Sequence, residues 1–174
     1  MACPVMPDAI AAPLAIAQVA IAWQQLAFDA LSPRQLYAVL QLRSDVFVME
    51  QNCPFQDMDG ADTQAVHVMG WADADQVNAA ARPLLAYARC FPAGVKFSEA
   101  SIGRVITRTG LRGTGAGAVL MRHAIDCVQQ QWGVQPIRIG AQAHLEQFYS
   151  KLGFVTASAP YMEDGIAHIE MLLP

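Results

Sequence analysis

The chain is short of charge. Only 15% of its 174 residues are Asp, Glu, Lys or Arg, against about 25% in an ordinary soluble domain. It also lacks the long apolar run that would make a membrane span of that shortage. The most apolar stretch, residues 9–22, is interrupted by Pro13 and Gln18 and falls short of the ~20 residues a spanning helix needs. A membrane partner is therefore not expected. Basic residues are outnumbered, 11 against 15 acidic, for a net charge of −4. A nucleic-acid partner, which calls for a basic face, is not expected either. No basic residue precedes Arg34, so the positive start of a secretory signal is missing and a cytoplasmic location is expected. Cys3, Cys53, Cys90 and Cys127 form no C-x-x-C pair, and no H-x-H or H-x-x-x-H occurs. Neither a metal site nor a disulfide framework is expected.

What the chain has is apolar residues, 54% of the total. At this length they suffice for one domain burying roughly 70% of its unfolded surface. Residues 1–20, with Pro4, Pro7 and Pro13 and no period, read as a loose N-terminal extension; residues 21–174 read as the domain. A strand is expected from Trp23 to about Leu31. Ser32-Pro33-Arg34-Gln35 is a capping box with proline at the first helical position, opening a helix to about Glu50. Residues 51–64 are loop chemistry around Pro54 and Gly60. Strands follow at 66–71, 84–91 and 100–107, then a glycine-rich turn over 108–117. A helix over 119–132 carries Leu120, Ala124, Cys127 and Val128 on one face. A strand (137–142), a short helix (144–152) and a last strand (166–173) complete the order. This predicts an α/β (α+β) fold with mixed strand pairing. Residues 100–142 form a strand–helix–strand crossover of the right-handed kind.

The chemistry concentrates in Arg112-Gly113-Thr114-Gly115-Ala116-Gly117, after a strand and opening a helix. Glycines let the backbone approach a ligand, helix-start N–H groups favour an anion, and Arg112 adds a forked cation for phosphate. No Lys-Ser/Thr follows, as a Walker loop requires, and the glycine spacing is not that of a dinucleotide fingerprint.

With the strand Ile102-Gly103-Arg104-Val105-Ile106-Thr107 before it, this R-x-x-G-x-G run resembles the GNAT superfamily of acetyl-CoA-dependent N-acyltransferases. Residues 142–154, QAHLEQFYSKLGF, resemble the family's N-x-x-A-x-x-F-Y-x-x-x-G-F segment, with Gln142 where Asn is usual and Leu145 where Ala is usual. Residues 41–62 with His67, and residues 161–171, resemble its ElaA-like branch. The resemblance implies a mostly antiparallel twisted sheet flanked by helices, with a splayed central pair of strands. It implies acetyl-CoA as co-substrate, no metal, and direct transfer to a small amine acceptor in a ternary complex. The pyrophosphate would sit on the turn formed by Gly113, Thr114, Gly115, Ala116 and Gly117. Pantetheine would run along Val105, Ile106 and Thr107, near Gln142 and Phe148. Backbone N–H groups near Val105 or Ile106 would polarise the thioester, and Tyr149 would protonate the departing thiolate.

The proton acceptor is less clearly marked. Glu99, Glu50 and the strand histidines His67 and His168 are candidates, each histidine as a base or a substrate contact. Arg43 and Glu50, seven apart on one helix, either pair with each other or leave Glu50 facing the acceptor. Asp57, Asp59 and Asp62 either attract a cationic amine or serve the turn around Gly60. His123 reads as surface, and His144 as a cap of the short helix. Two other functions stay open. Arg43-Ser44-Asp45-Val46-Phe47 resembles a stretch of acyl-homoserine-lactone synthases, and a third reading is a CoA-binding sensor or interaction module without turnover. Exposed sheet edges leave a homodimer open.

Overall fold

The computed structural model describes residues 20–52, 56–73 and 82–174. Cys53, Pro54, the surface connection over 74–81 and all of the expected N-terminal extension except residue 20 lie outside the described residues.

Eight strands form one sheet: β1 (Ile21–Ala27), β2 (Val66–Ala72), β3 (Leu84–Phe91), β4 (Ala100–Thr107), β5 (Ile137–Gln142), β6 (Val155–Thr156), β7 (Tyr161–Glu163) and β8 (Ile166–Leu173). The order is β1-β2-β3-β4-β5-β8-β6, with β7 also on β8. Every pair is antiparallel except β4–β5. That parallel pair requires a crossover, supplied by helix α2 (Ala116–Trp132). The mixed, mostly antiparallel sheet agrees with the expectation.

Helices cover both faces. Leu120, Met121, Ala124, Cys127 and Val128 of α2 pack on Val68, Ala88, Cys90, Ile102 and Ile139. On the other face, Val39 and Leu42 of helix α1 (Pro33–Arg43) meet Met69, Tyr87 and Ile106. β3 is therefore buried at all eight positions, which explains a sequence that is apolar apart from Arg89 and Tyr87. His123 is not a free surface group: it stacks on Trp23 of β1 at 4.4 Å between ring centroids.

Local signals set the helix ends. At the start of α1, Ser32 N–H donates to Gln35 Oε1 (2.9 Å) and Gln35 N–H returns to Ser32 Oγ (3.3 Å). α2 starts at Ala116, earlier than expected, because Gly115 at φ +89° turns the chain directly into it. The first helix does run on to Glu50, but residues Ser44–Glu50 are wound with a π pitch. The wider turn takes Arg43 and Glu50 off a common face. They do not pair, contrary to one of the two expectations.

Arg43 goes instead into a buried ion cluster. It is fully inaccessible to solvent and donates to Asp57 Oδ2 (2.7 Å), Asp62 Oδ1 (2.6 Å) and the Asp57 carbonyl (2.9 Å). Arg89 of β3 donates to Asp62 Oδ1 (2.9 Å) and grips Asp59 at 2.5 and 2.8 Å. Lys96 adds to Asp59, and Arg104 to Asp57. The three aspartates thus serve as counter-ions that tie the loop before β2 to the sheet. Asp59 does also meet the turn expectation, accepting from Ala61 N–H at 3.1 Å.

Burial alone would raise the Asp62 carboxyl, but the two guanidiniums outweigh it and hold the group below the ordinary range. A depressed folded pKa stabilises above the unfolded value of about 4 and is lost as pH falls through the folded pKa. Asp62→Ala should cost about 1–3 kcal/mol, since Arg43 and Arg89 each lose one charge-assisted hydrogen bond while Asp57 and Asp59 still hold them. Urea denaturation at pH 7 checks this, and a shallower acid limb in Asp62→Asn checks the linkage.

Candidate active site

The site begins where the sheet comes apart. β4 and β5 pair only at Ala100↔Ile137 and Ser101↔Arg138. Beyond Ser101 the β5-facing edge of β4 has no strand partner among the described residues. On its other side, β4 is bulged: Tyr87 pairs with Ile106 and Arg89 with Gly103, so Ala88 faces the two residues Arg104 and Val105. Arg104 sits at φ +52°. Its guanidinium is held by Asp57 Oδ1 (2.6 Å) and lies over the Phe47 ring at 5.4 Å.

The opened slot is the floor of a cavity of about 660 Å³. Val105, Ile106 and Thr107 line one wall, the Arg112–Gly117 turn closes one end, and Gln142, Phe148 and Tyr149 face them. The π-wound segment contributes Val46, Phe47 and Glu50, and β8 contributes His168.

The turn is built for an anion. Gly113 and Gly115 hold φ of +80° and +89°, with open space where a Cβ would point. Among the described residues the N–H groups of Gly113, Gly115, Ala116 and Gly117 make no hydrogen bond. They gather at the positive end of a 17-residue helix. Two expected contacts are not side-chain contacts: Thr114 Oγ1 turns back to the Leu111 carbonyl (2.7 Å), and Ala116 is buried beside Leu85 and Leu111.

Tyr149 lies on helix α3 (Glu146–Ser150), its ring edge-on to Phe148 (4.9 Å) and Phe154 (6.0 Å). Its hydroxyl makes no hydrogen bond among the described residues, and burial pushes its pKa up to about 12. Glu50 accepts from Thr109 Oγ1 (2.7 Å) and from Arg112, which hold its carboxyl below the ordinary range. The loop's own cation is thus paired across the mouth of the cavity. Gln142 Nε2 donates to Gln51 Oε1 at 3.2 Å.

Two candidate bases lie elsewhere. Glu99 stands at the zipped end of β4, paired with Arg138 and Ser98, and these partners bring its pKa down to about 2. His67 is fully buried in β2; its Nε2 donates to the Asp62 carbonyl (3.0 Å) and its Nδ1 accepts from Tyr87 Oη (2.8 Å). Burial lowers its pKa, so it is a neutral structural bridge. His144 occupies an exposed 3-10 turn and caps nothing. Cys90 and Cys127 are buried between β3 and α2. Among the described residues no His/Cys/Asp/Glu group is arranged for a metal ion. Arg104 and Phe47 join the cavity beyond the residues expected for the site: a positive φ at arginine has no sequence signal, and Phe47 stands in the sequence as one apolar residue at helical spacing.

Comparison with known proteins decides the family. The Acetyltransferase (GNAT) domain profile matches residues 90–173. Protein ElaA of Escherichia coli is 43% identical over 153 residues, covering 87% of this chain and 95% of the relative. The chain belongs to the GNAT family, in its ElaA-like branch. The crystal structure of E. coli ElaA superposes with a TM-score of 0.79 at 41% identity, over 89% of this chain and all of that one. An acyl-CoA N-acyltransferase from Pseudomonas aeruginosa gives 0.80 at 37%, with the same coverage. In this GNAT chain the signature arginine and glycines coincide with the anion-ready turn, and the motif tyrosine opens into the same cavity.

The turn's left-handed backbone can be tested directly. Gly115→Ala should cost about 1–2 kcal/mol, whereas Gly117→Ala, at a helical φ with only an ordinary contact to Phe148 at 3.5 Å, should not. Thermal denaturation of both variants checks the contrast.

Proposed function

We propose that the protein transfers an acetyl group from acetyl-CoA directly to a small amine within one ternary complex. The observation that carries this is a juxtaposition: the unpaired edge of β4, the amide-lined turn and the Tyr149 hydroxyl share one cavity. The fit to the co-substrate is good on each count. The turn amides and Arg112 suit a diphosphate. The β4 edge suits an extended amide-containing arm, which can pair with it as an added strand. The bulge at Arg104–Val105 leaves backbone N–H groups near Val105 and Ile106 to polarise a thioester carbonyl. Tyr149, protonated throughout the neutral range, suits the donor of a proton to the leaving thiolate.

The acyl-homoserine-lactone reading has less support. Its stretch begins at Arg43, which is wholly committed to Asp57 and Asp62, so this part of the pattern reports a buried ion cluster rather than a carrier-protein donor. Among the described residues no helix is long and apolar enough to cross a membrane.

Free-thiol release from acetyl-CoA with a panel of primary amines tests the activity. Tyr149→Phe should lower kcat by about 10²–10⁴-fold with CoA affinity unchanged by calorimetry. A CoA sensor instead predicts binding without thiol release in the parent protein. Glu50 competes with the diphosphate for Arg112. Arg112→Ala should therefore weaken CoA binding about tenfold, the loss of one charge-assisted bond, while Glu50→Gln should tighten it. Titration calorimetry with CoA reads both.

A further inference from the structure

The proposed transfer needs a proton acceptor as well as a donor, because an ammonium nitrogen has no lone pair for attack. The ionisable side chains lining the cavity are Glu50, Arg104, Arg112, His144, Tyr149 and His168. The guanidiniums cannot accept a proton, and Tyr149 is the donor. The Glu50 carboxylate is already gripped by Thr109 and Arg112. His144 sits on the exposed rim without an orienting partner.

His168 is different. It is half-buried on β8, in register with Gln142 of β5. Its Nδ1 lies 2.9 Å from the Ile166 carbonyl. A carbonyl only accepts, so Nδ1 carries the hydrogen and the neutral ring keeps its lone pair on Nε2, on the opposite side. The ring face is braced by Tyr161 at 6.0 Å. A base oriented by a second group, with its free nitrogen away from that group, is the arrangement proton abstraction requires.

We propose that His168 Nε2 takes the proton from the incoming amine, a role that rests on the acetyl-transfer reading. One proton passes from the ammonium to Nε2. The freed lone pair forms the C–N bond at the thioester carbon, and the C–S bond breaks. Sulfur takes the Tyr149 proton, Tyr149 recovers one from the new amide nitrogen through solvent, and His168 releases its own to water. Ammonium and thioester become amide, thiol and one proton. The charged and titratable groups beside the ring or sharing its cavity are Tyr161 on β7, Glu170 on β8 (held by Arg138 at 2.8 Å), and Glu50, Arg104, Arg112, His144 and Tyr149 in the cavity lining.

Two probe amines separate this role from packing: tyramine, largely protonated at neutral pH, and an arylamine such as p-anisidine, largely free. His168→Gln should lower kcat/KM for tyramine about 100-fold at pH 7, with the deficit shrinking as pH rises and frees the amine. The arylamine should lose only a few-fold, and the CoA Kd and melting temperature should not move. Imidazole added to His168→Ala should restore part of the tyramine rate. An equal loss for both amines at every pH, or no loss for either, overturns the role of His168 while leaving acetyl transfer intact. A parent protein that releases no thiol with either probe overturns both.

Discussion

Arg104 holds a backbone conformation that a side chain of its kind normally avoids, a strain of order 1–3 kcal/mol, and Asp57 keeps it there. The bond from Arg104 Nε to Asp57 Oδ1 spans the gap between the bulge and the loop before β2. Asp57 in turn grips Arg43 at the end of α1. Helix, loop and bulged strand are therefore tied through one carboxylate. The bulge bends β4 away from β5, and the cavity is the space left by that bend. Without the clasp, the relaxed course for Arg104 is a regular strand, which would favour closing the slot that the site occupies. The buried ion cluster is thus part of the site's architecture although most of its members never touch the cavity.

The same cluster accounts for the scarcity of charge. Arg43, Arg89, Arg104 and Lys96 meet Asp57, Asp59 and Asp62. Arg138 bridges Glu99 and Glu170 across β4, β5 and β8, and Arg112 meets Glu50. Much of the charge works inside the fold rather than as a solvated shell. The acidic run over residues 57–62, which looked suited to attracting a cationic amine, is neutralised where it stands. A phosphate-bearing partner is compatible with net −4 because the proposed anion site is made of backbone amides and needs no basic surface.

What could be read from the sequence was what is decided locally. The Ser32–Gln35 box, the glycine turn and the apolar face of α2 each depend on residues a few positions apart, and each stands where it was expected. The β7–β8 hairpin was equally local, marked by Asp164-Gly165 at φ +50° and +80°, and that signal was passed over. Distinguishing Glu99 from Glu50, or His67 from His168, was beyond local reach. Glu99 lies one residue before β4, at the end still zipped to β5, whereas the cavity opens from Gly103 onward. His67 and His168 are both strand histidines with similar surroundings in sequence. One lies under the loop of the ion cluster and the other beside the splay, a difference set by sheet order and not by neighbours. The π winding after Arg43, which sends Arg43 inward and Glu50 to the cavity mouth, had no sequence signal.

The division of labour among the cavity's groups follows from what each is already bonded to. Glu50, exposed at the cavity mouth, is the counter-ion of Arg112 and also accepts from Thr109, which makes it a poor base. A phenol carries no charge before the reaction, so burying Tyr149 costs far less desolvation than burying a carboxylate would. In the proposed transfer the positive charge of the ammonium passes to His168, and the proton of Tyr149 meets the negative charge of the departing thiolate. In a slot walled by Val105, Ile106 and Phe148, the proposed acid and base stand on separate elements, α3 and β8. That reasoning favours an acceptor that arrives as a cation and leaves as a neutral amide, because the slot gains most from expelling the charge that the reaction removes.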